Sequence, residues 1–200
     1  MGSRRTEWYF ADLSMRLILT ELPDITIIEP KVFGDARGYF VETWNQVRYR
    51  DLGFPDTFVQ DNVSRSSKGV LRGLHFQNPK SQGKLVTVLE GEVYDVAVDI
   101  RVGSPTFGRA FGVVLSGDSK RQVYVPPGFA HGFCVTSESA LFMYKCTELY
   151  TPAAEKGIIW NDPDLHIRWP IEQPTLSPKD ASYPRLRDID QSALPTIEPA

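Results

Sequence analysis

From Met15 onward, short segments rich in Val, Ile, Phe, Tyr and Thr recur. Most are separated by Gly, Pro, Asp or Asn, and no long stretch repeats its apolar residues every 3.6 positions. That punctuation excludes a helical bundle and points to an all-β chain. The expected strands are Ile25–Glu29, Tyr39–Trp44, Phe58–Ser64, Val70–Gln77, Lys84–Leu89, Val93–Ile100, Arg109–Leu115, Gln122–Val125, His131–Thr136 and Ala140–Glu148. Within Val93–Ile100, alternation puts Tyr94, Val96, Val98 and Ile100 on one face and Val93, Asp95, Ala97 and Asp99 on the other, so both faces are partly apolar. Glu90-Gly91-Glu92 and Ser116-Gly117-Asp118 read as tight links between strands. Only Asn45–Leu52 looks helical, with Gly53 as its stop. About ten short strands at this spacing form a jelly roll or a small barrel, a shape that hosts enzymes, binding proteins and capsid subunits alike.

A chain of 200 residues makes one domain with one core. Residues 1–14 read as an N-terminal leader or tag-like extension, 15–183 as the domain, and 184–200 as a charged, Pro-punctuated C-terminal tail, loose or disordered. With 22 Lys and Arg against 25 Asp and Glu, the net charge of −3 carries no basic footprint for a nucleic acid polymer. No apolar run is long enough to span a membrane and no secretory signal pattern opens the chain, so a soluble cytoplasmic protein is expected. Cys134 and Cys146 lie in apolar strand-like runs and are expected as buried free thiols rather than a disulfide or part of a zinc site.

Function has to be read from positions, and there are only three histidines. His75 sits in an otherwise apolar strand, where it is either a hydrogen-bonded core residue or a working group. Arg72, three residues earlier, needs an anion or a route to water. Strict alternation sets residues 72 and 75 on opposite faces, so both line one site only if Gly73 makes a bulge or Arg72 curls round the rim. His131 follows Val-Pro-Pro-Gly-Phe-Ala, a rigid turn that can aim a side chain or merely be capped by it. His166 reads as a surface residue outside the site. No His-x-His pair flanks His75, since Gly73 and Gln77 occupy those positions, and a three-His metal site would need every histidine in the chain. Organic acid–base chemistry is the better expectation, with no metal and no cofactor.

Several segments together carry a resemblance. They are Asp-Ala-Arg-Gly-Tyr-Phe-Val-Glu-Thr (35–43), Gln-Asp-Asn (60–62), Val-Leu-Arg-Gly-Leu-His-Phe-Gln (70–77), Gly-Lys-Leu-Val (83–86), Asp-Val-Ala-Val-Asp-Ile-Arg (95–101), Gly-Ser-Pro-Thr-Phe-Gly (103–108), Val-Pro-Pro-Gly-Phe-Ala-His-Gly-Phe (125–133) and Leu-Ser-Pro-Lys-Asp (176–180). In this order, from about Pro23 to Asp180, the chain resembles the dTDP-4-dehydrorhamnose 3,5-epimerases. The resemblance implies a cupin-type jelly roll (a double-stranded β-helix) with short peripheral helices, a homodimer in which N-terminal strands complete the partner's sheet, no metal, and a dTDP-sugar substrate. It further implies His75 as general base, Asp180 as the carboxylate orienting it, Tyr144 as the acid and Lys84 beside the C4 carbonyl. Arg72 and His131 would help hold the nucleotide-sugar, with Arg37, Glu42, Gln60, Asn62, Glu155 and Lys179 as further substrate contacts and Tyr150 stacked on thymine. Two rival readings stay open: an epimerase inverting a single centre, C3 or C5, and a sugar-nucleotide-binding cupin without turnover.

The implied chemistry is physically coherent. Inverting a carbon beside a ketone means removing a weakly acidic C–H proton and returning one to the opposite face, so base and acid must flank the ring. A carboxylate on the far imidazole nitrogen fixes the tautomer, and a lysine offsets the charge that builds on the ketone oxygen.

Overall fold

The structure is a computed structural model and describes residues 15–55 and 57–197. The expected leader, 1–14, lies outside the described residues. Among these residues the strands are β1 (Met15–Leu19), β2 (Thr26–Pro30), β3 (Val32–Asp35), β4 (Gly38–Val41), β5 (Gln60–Ser67), β6 (Leu71–Gln77) and β7 (Lys84–Glu90), followed by β8 (Glu92–Asp99), β9 (Ala110–Ser116), β10 (Gln122–Val125), β11 (Phe129–Val135), β12 (Ser139–Cys146) and β13 (Glu155–Gly157). One helix, α1 (Gln46–Asp51), and several single 3₁₀ turns complete the secondary structure. A six-stranded sheet in the order β1-β2-β10-β7-β12-β5 faces a five-stranded sheet in the order β13-β6-β11-β8-β9, while β3 and β4 form a separate two-stranded hairpin. This is the jelly roll expected from the strand pattern, with the strand pairs of both sheets antiparallel.

Strand alternation explains the layers. Val86 and Val88 of β7, Val93 and Ala97 of β8, Phe133 and Val135 of β11 and Ala140 and Phe142 of β12 all point between the sheets and form the central core. The opposite face of β8, with Val96 and Val98, is also buried, because Ile158, Leu165, Leu186 and Leu194 lie over it. On the outside of the six-stranded sheet, Ile28, Leu85 and Tyr124 are covered by Tyr49 of α1 and by Phe54. The helix begins where the sequence indicated. The Asn45 side chain accepts a hydrogen bond from Arg48 N, and Gly53, with φ of +88°, takes the chain out of the helix.

The tail departs from expectation. Beyond Pro184 the chain is not loose: Leu186 and Leu194 are buried, Ile159 N donates to Pro184 O at 2.8 Å, Leu186 N donates to Asp162 Oδ2 at 2.8 Å, and Ile197 N reaches Val102 O at 3.1 Å. Leu186, Ile189 and Leu194 are the few apolar residues this strap gives to a sheet face that would otherwise be wet, which is why its composition looked too polar to fold. Strands β1, β3 and β13 add to those expected, and the strand expected at Tyr39–Trp44 ends at Val41. The Asp-Ile-Arg and Gly-Ser-Pro-Thr segments have a structural use. Asp99 accepts hydrogen bonds from Arg101, Ser104 and Thr106, and these outweigh its burial and bring its carboxyl down to about 2.

Candidate active site

Gly73 resolves the conflict between Arg72 and His75. On β11, Phe133 pairs with Arg72 and His131 pairs with His75, so β6 spends three residues where β11 spends two. The extra residue is a bulge at Gly73, whose φ is +111°. A Cβ there would come within 2.7 Å of Gly132 Cα and His131 O, so only glycine fits. With the alternation reset, Arg72 and His75 share the inner face of the sheet, and His75 lies directly across from His131.

Each of the two histidines has its own carboxylate. His75 Nε2 donates to Asp180 Oδ1 at 2.6 Å, which leaves the other ring nitrogen with the lone pair. Asp180 is itself fixed, its backbone N–H donating to Ser177 Oγ at 3.0 Å. Burial pushes its carboxyl up, yet the bond from His75, with help from Ser177 and the Gly73 backbone, holds it below the usual carboxylate value. His131 Nε2 donates to Asp95 at 2.9 and 3.1 Å, and its ring stacks over Phe142.

The facing sheet supplies the remaining chemistry. Tyr144 and Cys146 of β12 pair with Val86 and Lys84 of β7. Burial, reinforced by the neighbouring Cys146 and opposed by the Arg72 charge, pushes the Tyr144 phenol up to about 12, so it stays protonated at neutral pH. The Lys84 ammonium lies 5.9 Å from the Tyr144 ring centre. Its burial draws it below the ordinary lysine value, against the pull of Cys146, Asp95 and Glu155. Arg72 crosses to the other wall, its Nε donating to Ser66 Oγ on β5 at 3.1 Å. Gln60 accepts a hydrogen bond from Tyr150 N at 2.7 Å and donates to Asn62, which reaches the Cys146 thiol at 3.6 Å. Glu155, on β13, accepts a hydrogen bond from Tyr150 Oη at 2.7 Å and pairs with Lys179.

The single chain therefore brings together His75, Asp180, His131, Lys84, Tyr144, Arg72, Gln60, Asn62, Tyr150, Glu155 and Lys179. It does not bring in Arg37 or Glu42. Arg37 pairs with Asp35 at the tip of the β3–β4 hairpin, and Glu42 pairs with Arg48. His166 is an exposed residue, as expected, with φ of +51°. The thiols of Cys134 and Cys146 are free and buried. Among the described residues, no three His, Cys, Asp or Glu side chains gather as a metal-ligand set. No helix among them is long and apolar enough to cross a membrane.

Sequence reasoning missed Asp95, Ser177, Ser66 and Tyr183, the last meeting His75 edge to face. For Asp95 the signal was present, because a carboxylate alternating with Val93 and Ala97 on a buried face needs a partner. The others are ordinary polar residues in short segments whose neighbours are remote in sequence.

The family profile for dTDP-4-dehydrorhamnose 3,5-epimerase matches residues 19–188. The enzyme of that name from Salmonella typhimurium is 55% identical over 183 residues, covering 90% of this chain and 98% of its own. The crystal structure of dTDP-6-deoxy-D-glucose-3,5-epimerase from Legionella pneumophila, in complex with dTDP-4-keto-L-rhamnose, superposes with a TM-score of 0.90 at 56% identity, covering 92% of this chain and all of that one. More distant is ChmJ, a 3'-monoepimerase from Streptomyces bikiniensis crystallised with dTDP-quinovose, at 34% identity and a TM-score of 0.83, covering 89% of this chain and 92% of that one. With its jelly roll and its matched length, the chain belongs to the dTDP-4-dehydrorhamnose 3,5-epimerase family.

Proposed function

We propose that the chain epimerises C3 and C5 of dTDP-4-dehydro-6-deoxy-D-glucose through enolate intermediates, giving dTDP-4-dehydro-L-rhamnose. One observation carries the assignment of roles: His75 and Tyr144 come from facing sheets, so a sugar ring between them meets a base on one side and a protonated phenol on the other. His75 takes the proton alpha to the C4 ketone, and Asp180 stabilises the imidazolium that results. Lys84 offsets the charge that gathers on O4, and Tyr144 returns a proton to the opposite face. Arg72 and Lys179 supply cations for the diphosphate, Tyr150 an aromatic surface for thymine, and Gln60, Asn62, Glu155 and His131 polar contacts to substrate. A cytoplasmic setting suits two cysteines that remain free.

The second reading, inversion of one centre only, is favoured by the likeness to the 3'-monoepimerase, although identity to the double epimerases is higher. Mass spectrometry of the dTDP-4-keto sugar after incubation in deuterated water separates the readings. Incorporation at C3 and C5 supports the double epimerase, incorporation at one centre the monoepimerase, and none a binding protein.

The homodimer belongs to the same proposal. Among the described residues the β3–β4 hairpin pairs with no other strand, and it exposes Val32, Phe33, Tyr39 and Phe40, an apolar surface that a second copy would cover. Arg37 and Glu42, remote from their own chain's cavity, would then serve the partner's. Mixing Arg37→Ala and His75→Ala proteins under subunit exchange should raise activity above either parent, since one site of a mixed dimer carries neither lesion. No recovery after demonstrated exchange would assign Arg37 to its own chain.

A further inference from the structure

Tyr183 stands beside the general base without a role in the chemistry above. It follows the Asp180–Ser182 turn, and the next residue is anchored, because Pro184 O accepts the hydrogen bond from Ile159 N. The Tyr183 ring meets the His75 imidazole edge to face, with centroids 5.8 Å apart and planes at 74°. Its hydroxyl is buried, with the Lys179 ammonium as a charged neighbour. Gly157, the register partner of His75 on β13, lies under the ring: a Cβ at that position would come 2.3–2.5 Å from Cε2, Cζ and Cδ2 of Tyr183.

We propose that Tyr183 is a positioning residue for His75 and that Gly157 is the seat that allows it; the proposal rests on the reading of His75 as general base. The hydrogen bond to Asp180 fixes one nitrogen of the imidazole but leaves the ring free to rotate about the N···O line, which would swing the basic nitrogen away from the sugar. An aromatic ring packed against the imidazole removes that rotation. The contact needs the flat ring and not the hydroxyl, because it is the ring that meets the imidazole. Any side chain at 157 would push the ring out, so the two positions act as one device.

The test is steady-state kinetics and solvent-deuterium exchange on the dTDP-4-keto sugar, with the melting temperature of each variant as control. Tyr183→Phe should keep kcat within about twofold, since it keeps the ring that packs against His75. Tyr183→Ala should lower kcat and exchange by roughly tenfold or more while KM changes little, because a misaimed base costs the chemical step rather than binding. Should the alanine protein not fold, Tyr183→Leu keeps the volume without the planar edge and carries the same expectation. Gly157→Ala should reproduce the alanine phenotype, and in the Tyr183→Ala background it should add nothing, as the clash is gone. Parental kcat in Tyr183→Ala, a Tyr183→Phe loss as deep as that of alanine, or additive effects of the two lesions would each overturn the proposal. Full exchange in His75→Asn would instead remove the base assignment, whatever Tyr183 does.

Discussion

Two His–Asp pairs lie side by side on one sheet, and they differ in everything but composition. His75 leaves 30% of its side chain exposed, and its carboxylate arrives from a turn 105 residues away in the chain. His131 is 7% exposed and Asp95 only 2%; both sit on neighbouring strands, among Phe133 and Phe142 of the central core. A base must reach substrate and accommodate a charge that comes and goes, which requires an open face and a carboxylate already committed to the imidazole. A sealed pair keeps a fixed shape and presents a constant wall. On the roles proposed above, the difference teaches that access, and not the hydrogen bond alone, sets a base apart from a structural pair.

The largest expected effect breaks the pairs apart by function. His75→Asn should lower deuterium exchange at both centres by about 10²–10⁴-fold, the usual worth of a positioned base, while the fold persists. His131→Asn should lower exchange less and lower the unfolding free energy more. Equal exchange losses in the two variants would mean that both histidines move protons. Next in size is Tyr144→Phe, which removes the proposed acid and leaves the open pair intact, so inversion should fall further than proton removal. Inversion and exchange declining in proportion would make Tyr144 a positioning residue instead.

A smaller effect separates the pairs by stability. Asp95→Ala strands the His131 Nε2 donor away from water and should cost about 1–3 kcal/mol in urea unfolding. Asp180→Ala leaves His75 able to reach water through its exposed face and should cost less, although it removes most activity. A larger loss for Asp180→Ala would show that the strap turn, rather than the sealed pair, holds this end of the barrel.

How much of this arrangement was legible follows from how far each contact reaches along the chain. Alternation, glycine turns and the Gly53 helix stop act over a few residues, and they marked the jelly roll, α1 and both faces of β8 correctly. The Gly73 bulge stood as one of two options, because alternation alone cannot say whether a glycine breaks register or an arginine bends. The partners of the histidines were harder. Asp180 was assigned to His75 through family likeness, since no spacing rule connects residues so distant, and Asp95 was left unassigned though its burial was implied. The strap beyond Pro184 read as loose because Leu186 and Leu194 are single apolar residues eight positions apart, each filling a gap in a sheet face laid down by other strands.

The smallest expected effect concerns acid. Burial raises the Asp180 carboxyl, but the bond from His75 and those from Ser177 and the Gly73 backbone more than offset this, so the folded value lies below the ordinary 3.8. A carboxyl depressed on folding stabilises the native state fully above its unfolded value, and that contribution disappears as pH falls through the folded value. The stability difference between the parent and Asp180→Asn should therefore be level from neutrality down to about pH 5 and shrink once the pH passes below 3.8. Measuring the difference, rather than the parent alone, removes the contribution of Asp99, whose carboxyl is held down at about 2 and is common to both proteins. The same experiment with Tyr183→Ala as parent tests whether the ring shields the pair. A difference that stays constant to the lowest pH at which both proteins fold would mean that Asp180 gains nothing from His75, and the open pair would then be a contact without a coupling.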